Sequence, residues 1–421
     1  MQPWRFNIRH IRAFVKTFEL GSLRAASKSV HMSQPAMSQA ISKLEEQLDM
    51  QLFRRQSDGM KPTRGADLLH PRLKAFLAFV RSVRVTHAQI RAFLALARSG
   101  SYAAAHQRSG LARASLHRAV SDLEGALGQS LVRRRGRGLE LTDAGCAYAR
   151  RYSLAEAELR SALEEVRALR GLNAGRVAVG AMPLCRARVL PEVIVRFQKF
   201  WPTCDIYVAE GSHAELLEPL RNGELDILIG ALREDMTAPD LLQVPLFGDW
   251  PVVIARYAHP LQTHTSHTLE SLSAYDWCLP PRGVPLRDRW EQMFGNVGLT
   301  APNVRVECGS VITIRQILMQ TDCLTILSPD QVAVELEAGW VKIVGKTTRN
   351  MQRTIGMTYR ENWRPTRPQR GLMNMLGEVA RGQDSLNPVC DDGRDADSGE
   401  AGCGQHLSNR LQPGAGSVFK S

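Results

Sequence analysis

Ser33-Gln34-Pro35-Ala36-Met37-Ser38-Gln39-Ala40-Ile41-Ser42-Lys43-Leu44-Glu45-Glu46-Gln47-Leu48 is the stretch whose reading decides the fold. At about 100° per residue, Met37, Ala40, Ile41, Leu44 and Leu48 share one helical face, and Pro35, Ser38, Gln39 and Ser42 fall opposite. Ser33 is placed to cap this helix and Pro35 suits its first turn. The helix therefore packs on one side and offers short hydrogen-bonding groups on the other, and a glutamine there can bond adenine bidentately in the major groove. Upstream, Ile11, Phe14, Val15 and Phe18 mark a first helix, and Leu23, Ala25 and Ala26 begin a second. Downstream, Leu52-Phe53-Arg54-Arg55, a turn around Gly59 and Lys61-Pro62-Thr63-Arg64 read as a small β wing. Phosphate contacts fix position and base contacts specify sequence. The wing suits the first task and the third helix the second.

The same plan recurs 79 residues later without a gap. Ile11-Arg12-Ala13-Phe14 returns as Ile90-Arg91-Ala92-Phe93, Gly21-Ser22 as Gly100-Ser101, and Leu44-Glu45 as Leu123-Glu124. Leu52, Arg54, Arg55 and Thr63 return as Leu131, Arg133, Arg134 and Thr142. A unit of this length is too long for a solenoid repeat and reads as a duplicated small domain. In the second copy Arg113, Ser115, His117 and Arg118 lie near the exposed face of the third helix. Its wing, Arg133-Arg134-Arg135-Gly136-Arg137-Gly138, is still more basic than the first.

Charge follows the repeat. Of the 421 residues, the first 150 hold 25 Lys/Arg against 10 Asp/Glu and the remainder 29 against 32, so the net +12 arises wholly in the first third. So one-sided a basic block points to a polyanion. No stretch approaches the roughly 18 apolar residues of a membrane span. The start, Met1-Gln2-Pro3-Trp4-Arg5-Phe6, has no apolar signal core, which predicts a cytoplasmic protein. The eight cysteines (146, 185, 204, 278, 308, 323, 390, 403) form no Cys-x-x-Cys pair, so the usual zinc spacings and a disulfide scaffold are excluded and reduced thiols are expected.

Ser33-Gln34-Pro35-Ala36-Met37-Ser38-Gln39-Ala40-Ile41, then Leu44-Glu45-Glu46-Gln47-Leu48 and Leu52-Phe53-Arg54-Arg55, resembles the LysR-type transcriptional regulators. The resemblance implies a winged helix-turn-helix with DNA contacts at Gln34, Pro35, Ala36, Ser38, Gln39, Arg54 and Arg55, to which the exposed Ser33 and Ser42 are added. For the second copy Arg113, Ser115, His117, Arg118, Arg133 and Arg134 are the matching candidates. That copy keeps the family's wing ending, Leu141-Thr142-Asp143-Ala144-Gly145, better than Pro62-Thr63-Arg64-Gly65-Ala66 does, but Ala112-Arg113-Ala114-Ser115 departs from Ser-Gln-Pro-Ala. Most members carry one such domain, so copy two is either a second DNA contact, as its arginines argue, or a spacer and dimerisation module.

Residues 143–170 read as a long helix with an apolar stripe at Leu154, Leu159, Leu163, Val166 and Leu169, which calls for a coiled contact with a second chain. The resemblance puts the family's linker helix here. From Arg176 strands alternate with helices: Arg176–Gly180, Asp205–Ala209 and Leu225–Ile229, then Pro251–Ala255, Trp277–Leu279, Val304–Glu307, Leu324–Leu327 and Val341–Val344. Repeated β–α–β units predict a mostly parallel sheet whose ligands sit beyond the carboxyl ends of the strands. The resemblance implies a two-lobed effector domain like a periplasmic binding protein. Val179–Leu184, Leu228–Arg233, Arg282–Arg287, Ile355–Thr358 and Asn362–Thr366 look like the subgroup named for regulating a galactose-binding protein.

The fold expected is α/β: tandem all-α winged helix-turn-helix domains, a linker helix and a two-lobed α/β domain. The domains run 1–66, a connecting helix 67–85, 86–145, the linker or dimerisation helix 146–172, and the effector domain 173–382. Within the last, lobe I covers about 173–250 and 347–382, and lobe II about 251–346. Effector candidates are Met182, Pro183, Leu184, Cys185 and Arg186 in the loop after the first strand, with Ala231, Arg282, Arg287, Ser310 and Val311. Ser310 and the following helix amides suit an anion, and the arginines favour a carboxylate by bidentate pairing. Arg287 has the alternative of a surface position beside Asp288. Cys185 is either a redox sensor or a small apolar lining residue.

Two other signals fail. Gly345-Lys346-Thr347 lacks the earlier glycine of a P-loop at the right distance, and a strand fills the loop's place. His264 and His267 have no paired carboxylate at ligand spacing. With no Ser-His-Asp or Gly-x-Ser-x-Gly arrangement, the chain reads as no enzyme, with no cofactor and no metal. Its expected partners are double-stranded promoter DNA, a small-molecule inducer (a sugar or an organic or aromatic acid) and further copies of itself as dimer or tetramer. The rival reading is an architectural DNA-binding protein whose C-terminal lobes sense nothing. Residues 383–421, rich in Gly, Asp, Ser and Asn, are expected to be disordered.

Overall fold

The computed structural model describes residues 6–56, 59–136, 138–171, 175–233, 238–261 and 267–384. Arg137, His264 and all but the first two residues of the tail expected to be disordered, Cys390 and Cys403 included, lie outside these. The first unit is α1 (Ile8–Leu20), α2 (Leu23–Ser29), α3 (Gln34–Leu48), the hairpin β1 (Phe53–Gln56) and β2 (Gly59–Pro62), and α4 (Arg64–Val80). The second repeats it: α5 (His87–Ser99), α6 (Tyr102–Ser109), α7 (Arg113–Leu127), β3 (Val132–Arg135), β4 (Gly138–Leu141) and α8 (Asp143–Leu169).

The polar bonds that fix each wing repeat as faithfully as the helices. Glu45 Oε1 accepts from the backbone N–H groups of Leu52 (2.7 Å) and Phe53 (3.2 Å), and Glu124 Oε1 accepts from Leu131 and Val132 at the same two distances. The Thr63 hydroxyl donates to the Gln51 carbonyl, as Thr142 does to Ser130. Gly21 and Gly100 end their helices at φ +63° and +66°, where a side chain would strain the backbone. Met60 N–H then donates to the Gly21 carbonyl and Leu139 N–H to that of Gly100, which ties each wing to its first helix. One difference is at the third helix. Ser33 caps α3 through its hydroxyl, whereas Ala112 leaves α7 without a side-chain cap.

The apolar stripe of α8 is packed in part within the chain. α4 covers that part: Leu69, Leu73, Phe76 and Val80 share one buried cluster with Tyr152, Leu159, Leu163 and Val166. Arg72, 3% exposed, crosses the seam to Glu165 at 2.7 Å and Glu158 at 3.4 Å. The duplication thus supplies an internal partner helix for Leu159, Leu163 and Val166 of the expected stripe, while Leu154 and Leu169 lie outside that cluster.

Lobe I is a five-stranded sheet of order β6-β5-β7-β14-β8, from β5 (Gly175–Ala181), β6 (Cys204–Glu210), β7 (Ile227–Ala231), β8 (Leu241–Asp249) and β14 (Arg353–Arg360). Helices α9 (Val189–Phe200), α10 (His213–Arg221) and α15 (Arg367–Asp384) accompany these strands. β5 runs parallel to β6 and β7, but β14 is antiparallel to both β7 and β8, so the sheet is mixed rather than mostly parallel. Between β8 and β14 the chain builds lobe II. There β9 (Val252–Arg256) lies between β12 (Thr325–Leu327) and β13 (Val341–Lys346), antiparallel to each. β10 (Trp277–Leu279) and β11 (Val304–Glu307) form a parallel pair. Helices α11 (Leu269–Ser273), α12 (Pro285–Gly295), α13 (Val311–Leu318) and α14 (Ala333–Glu337) complete the lobe around Trp277, Trp290 and Phe294. α15 runs to Asp384, so ordered chain passes the expected start of the tail by two residues.

Copy two and α8 dock on lobe I. Arg150 holds both oxygens of Glu218, Arg160 donates to the Gly223 carbonyl at 2.9 Å, and Arg98 bridges Glu156 on α8 and Glu224 beyond α10.

Candidate nucleic-acid interface and ligand cleft

On α3 the five apolar positions are buried, while Gln34, Pro35, Gln39 and Ser42 are exposed and Ala36 and Ser38 half-buried. Arg55 donates to the Ser38 hydroxyl at 3.0 Å, which joins the wing to the reading face. Across the hairpin Arg54 stands opposite Lys61. Like charges so placed repel until an anion comes between them. The candidates Ser33, Gln34, Pro35, Ala36, Ser38, Gln39, Ser42, Arg54 and Arg55 thus form one continuous basic and polar surface.

The second surface is built alike but charged differently. Arg113, Ser115, His117 and Arg118 are exposed on α7 above the buried Leu116, Val120 and Leu123. In the wing the position of Lys61 is taken by Glu140, opposite Arg133. Glu140 binds Arg133 at 3.1 Å and Arg135 at 2.8 Å, leaving Arg134, opposite Leu139, clear of that clamp. The richer arginine run of copy two is therefore partly offset by its own carboxylate. The four-residue strands on either side of the turn were the signal for that pairing.

In the effector domain the turn at Met182-Pro183 divides two cavities, each lined from both lobes. The first, about 580 Å³, takes Met182, His213, Ala231 and Arg233 from lobe I and Pro285, Leu286 and Arg289 from lobe II, with Arg221 and Arg353. Four arginines and, among the described residues, no acidic side chain line it. Arg353 is held by Asp249 at 2.6 Å and Arg221 by Asp240 at 3.0 Å. Two buried polar atoms of its lining residues, His213 Nε2 and Arg221 Nε, have no hydrogen-bond partner among the described residues. Burial, and then Arg233, push the His213 pKa below its ordinary value. The second cavity, about 800 Å³, takes Pro183, Arg186, Glu210, Ser310, Val311 and Arg315 among others. Most of its charges are paired internally: Arg186 with Glu210, Arg188 with Asp330 at 3.5 Å, and Arg315 with Glu335 at 2.7 Å, beside Glu337.

The structure divides the sequence candidates between these places. Met182 and Ala231 line the first cavity and Pro183, Arg186, Ser310 and Val311 the second. Leu184 and Cys185 turn into the core of lobe I, and burial pushes the Cys185 thiol up to about 12, which leaves no thiolate for redox chemistry. Arg282 is exposed with Glu291 at 3.7 Å, and Arg287 is buried, its charge taken by Glu291 and Glu307 over the Trp290 ring. Neither arginine lines either of these two cavities, and the surface alternative for Arg287 is also corrected. Arg221, Arg233, Arg289 and Arg353 were missed. Arg289 lies only two positions past Arg287 on α12, but Arg353 arrives on a strand whose place in lobe I no local pattern reveals.

Among the described residues no helix is long and apolar enough to cross a membrane. The model of the LysR substrate binding domain matches residues 170–381, and that of the bacterial regulatory helix-turn-helix protein, lysR family, matches twice, at 8–67 and 87–146. The chain is 31% identical over 388 residues to the HTH-type transcriptional regulator GalR of Pseudomonas putida, covering 89% of this chain and 97% of that protein. That share is too large to leave out either helix-turn-helix copy. It is 27% identical over 261 residues to the HTH-type transcriptional regulator PcaQ of Agrobacterium fabrum, covering 62% of this chain and 84% of the relative. The fold is similar to that of the solved structure of CbnR, a LysR family transcriptional regulator, with a TM-score of 0.51 at 21% identity over 69% of this chain and 98% of the other.

Proposed function

Because the chain belongs to the LysR family of transcriptional regulators, we propose that it governs a promoter in response to a small carboxylic acid held in the first cavity, between Arg233 of lobe I and Arg289 of lobe II. The carrying observation is that four arginines line this cavity and, among the described residues, no carboxylate does. An anion matches that lining, and bidentate arginine pairing selects a planar carboxylate over a neutral sugar. The second cavity, with most of its charges already paired, is the weaker site, which narrows the earlier choice between sugars and acids.

A ligand acts only through different affinities for two arrangements of the protein. Closing the lobes on an acid displaces α12 relative to α10, and the Arg150, Arg160 and Arg98 contacts carry movement of α10 to α8 and the DNA-binding copies. We place the protein in the cytoplasm with its DNA, as a homo-oligomer.

Calorimetric titration with aromatic and aliphatic carboxylates, beside neutral sugars, tests this reading. Arg233→Ala and Arg289→Ala are expected to weaken acid binding about tenfold or more. Equal binding of a neutral sugar, or indifference to both substitutions, would overturn it. Protonation of His213 adds a positive charge beside the anion, so acid binding strengthens as pH falls towards the lowered His213 pKa. Footprints on upstream DNA then change with the same acids.

A further inference from the structure

The two helix-turn-helix copies are not strung out like beads. In repeat register, position 72 of one copy meets position 79 of the other in both directions. Arg72 reaches Glu158, the equivalent of Phe79, and Arg151, the equivalent of Arg72, donates to the Phe79 carbonyl at 2.9 Å. Such exchange, i to j and j to i, is the mark of a two-fold contact. The equivalent helices α4 and α8 bury equivalent positions in one cluster: Leu73 with Tyr152, Phe76 with Ala155, and Val80 with Leu159. The starts of the two copies also meet. Equivalent Phe6 and Val85, and equivalent Ile8 and His87, line one hollow, where the Phe6 carbonyl faces the His87 ring.

We infer that one chain folds its two copies into an internal two-fold dimer, and so reads two adjacent DNA half-sites of different sequence. The inference rests on the DNA-binding reading above and adds stoichiometry and specificity to it. A two-fold places α3 and α7 as the paired recognition helices of a dimeric helix-turn-helix protein, which enter successive major-groove faces about one helical turn apart. Their exposed faces differ. Gln34 and Gln39 on α3 suit the N6/N7 edge of adenine, and Arg113 and Arg118 on α7 suit the O6/N7 edge of guanine. The preferred operator is therefore asymmetric: an adenine-contacted half under copy one and a guanine-contacted half under copy two.

The test uses the full chain on duplex from its own upstream region. Hydroxyl-radical footprinting and native mass spectrometry on the protected segment together count half-sites per chain. Two half-sites per chain, about 10 base pairs apart, are expected whatever the oligomer. Gln34→Ala with Gln39→Ala is expected to abolish discrimination at the bases of one half only. Arg113→Ala with Arg118→Ala is expected to do so at the other half only, each with about tenfold or greater loss of affinity. All four side chains are exposed, and an unchanged circular dichroism melt confirms folded variants. One half-site per chain, or loss at the same bases in both variants, overturns the internal dimer while leaving DNA binding intact. Failure to prefer upstream duplex over scrambled competitor instead overturns the regulator reading itself.

Discussion

Copy one and copy two share a framework and differ in what they face. The Glu45/Glu124 loop clamps, the Thr63/Thr142 hydroxyl bonds and the wing-to-glycine bonds repeat within a few tenths of an ångström. Side chains outside that framework diverge, often to opposite charge. Lys61 has become Glu140. Glu19, which salts α1 to Lys16 and Lys74 of its own copy, has become Arg98, which reaches Glu224 of lobe I. Hydrogen bonds that fix the chain path are costly to leave unmade, so these were kept while side chains drifted in the core, as from Ile8 to His87, and on the surface. There copy two took up the link to the effector domain, and copy one kept the more open basic wing.

The largest way to break the comparison is at the seam. Arg72→Ala strands Glu158 and Glu165 beside a buried interface and is expected to cost about 3 kcal/mol or more. Arg151→Ala, which loses one bond to a carbonyl, costs about 1 kcal/mol. Thermal unfolding of the two variants reads the difference, and equal losses would deny that the seam is weighted towards Arg72.

The next effect is on pH. Copy one has Ile8 where copy two buries His87, and burial depresses the His87 pKa from 6.5 to about 4. The unfolded chain then takes a proton that the folded chain refuses. Stability from this group is complete above about pH 6.5 and is lost as pH falls towards 4, by about 3 kcal/mol at most. His87→Ile makes the copies alike and is expected to flatten that loss, as acid-unfolding curves would record.

Helix capping gives a smaller, signed effect. Ser33→Ala removes the cap of α3 and Ala112→Ser offers one to α7, so melts are expected to fall and rise respectively by about 1 kcal/mol. The smallest effect concerns the wing. Glu140→Lys converts the second hairpin to the pattern of the first and releases Arg133 and Arg135. The slope of log affinity against log salt is expected to steepen by about 1–2. An unchanged slope would show that copy two's wing stays off the phosphates.

What the sequence made legible was local. The Ser33–Leu48 periodicity, the ungapped repeat and the basic third place the two readers, because helices and short hairpins are written in neighbouring residues. The Ser33 cap was readable for the same reason. What escaped was written at long range. β14 pairs with β7 only after the chain has built all of lobe II, so both the mixed sheet and Arg353's place in the first cavity were hidden. Arg287 looked like its cavity-lining neighbours in the sequence, and only the fold brings Glu307 to it. The apolar stripe of α8 showed that a partner was required, but a stripe carries no address, and α4 answered part of it from within.

Joining the two readers in one polypeptide also changes how the protein evolves. Where identical subunits pair, every substitution in a recognition helix strikes both arms of the palindrome at once, and a promoter must mutate twice to follow. Here Gln39 and Arg118 are encoded by separate codons. Each arm of the target can drift with its own helix, one base and one residue at a time, while the other arm keeps the protein at its gene.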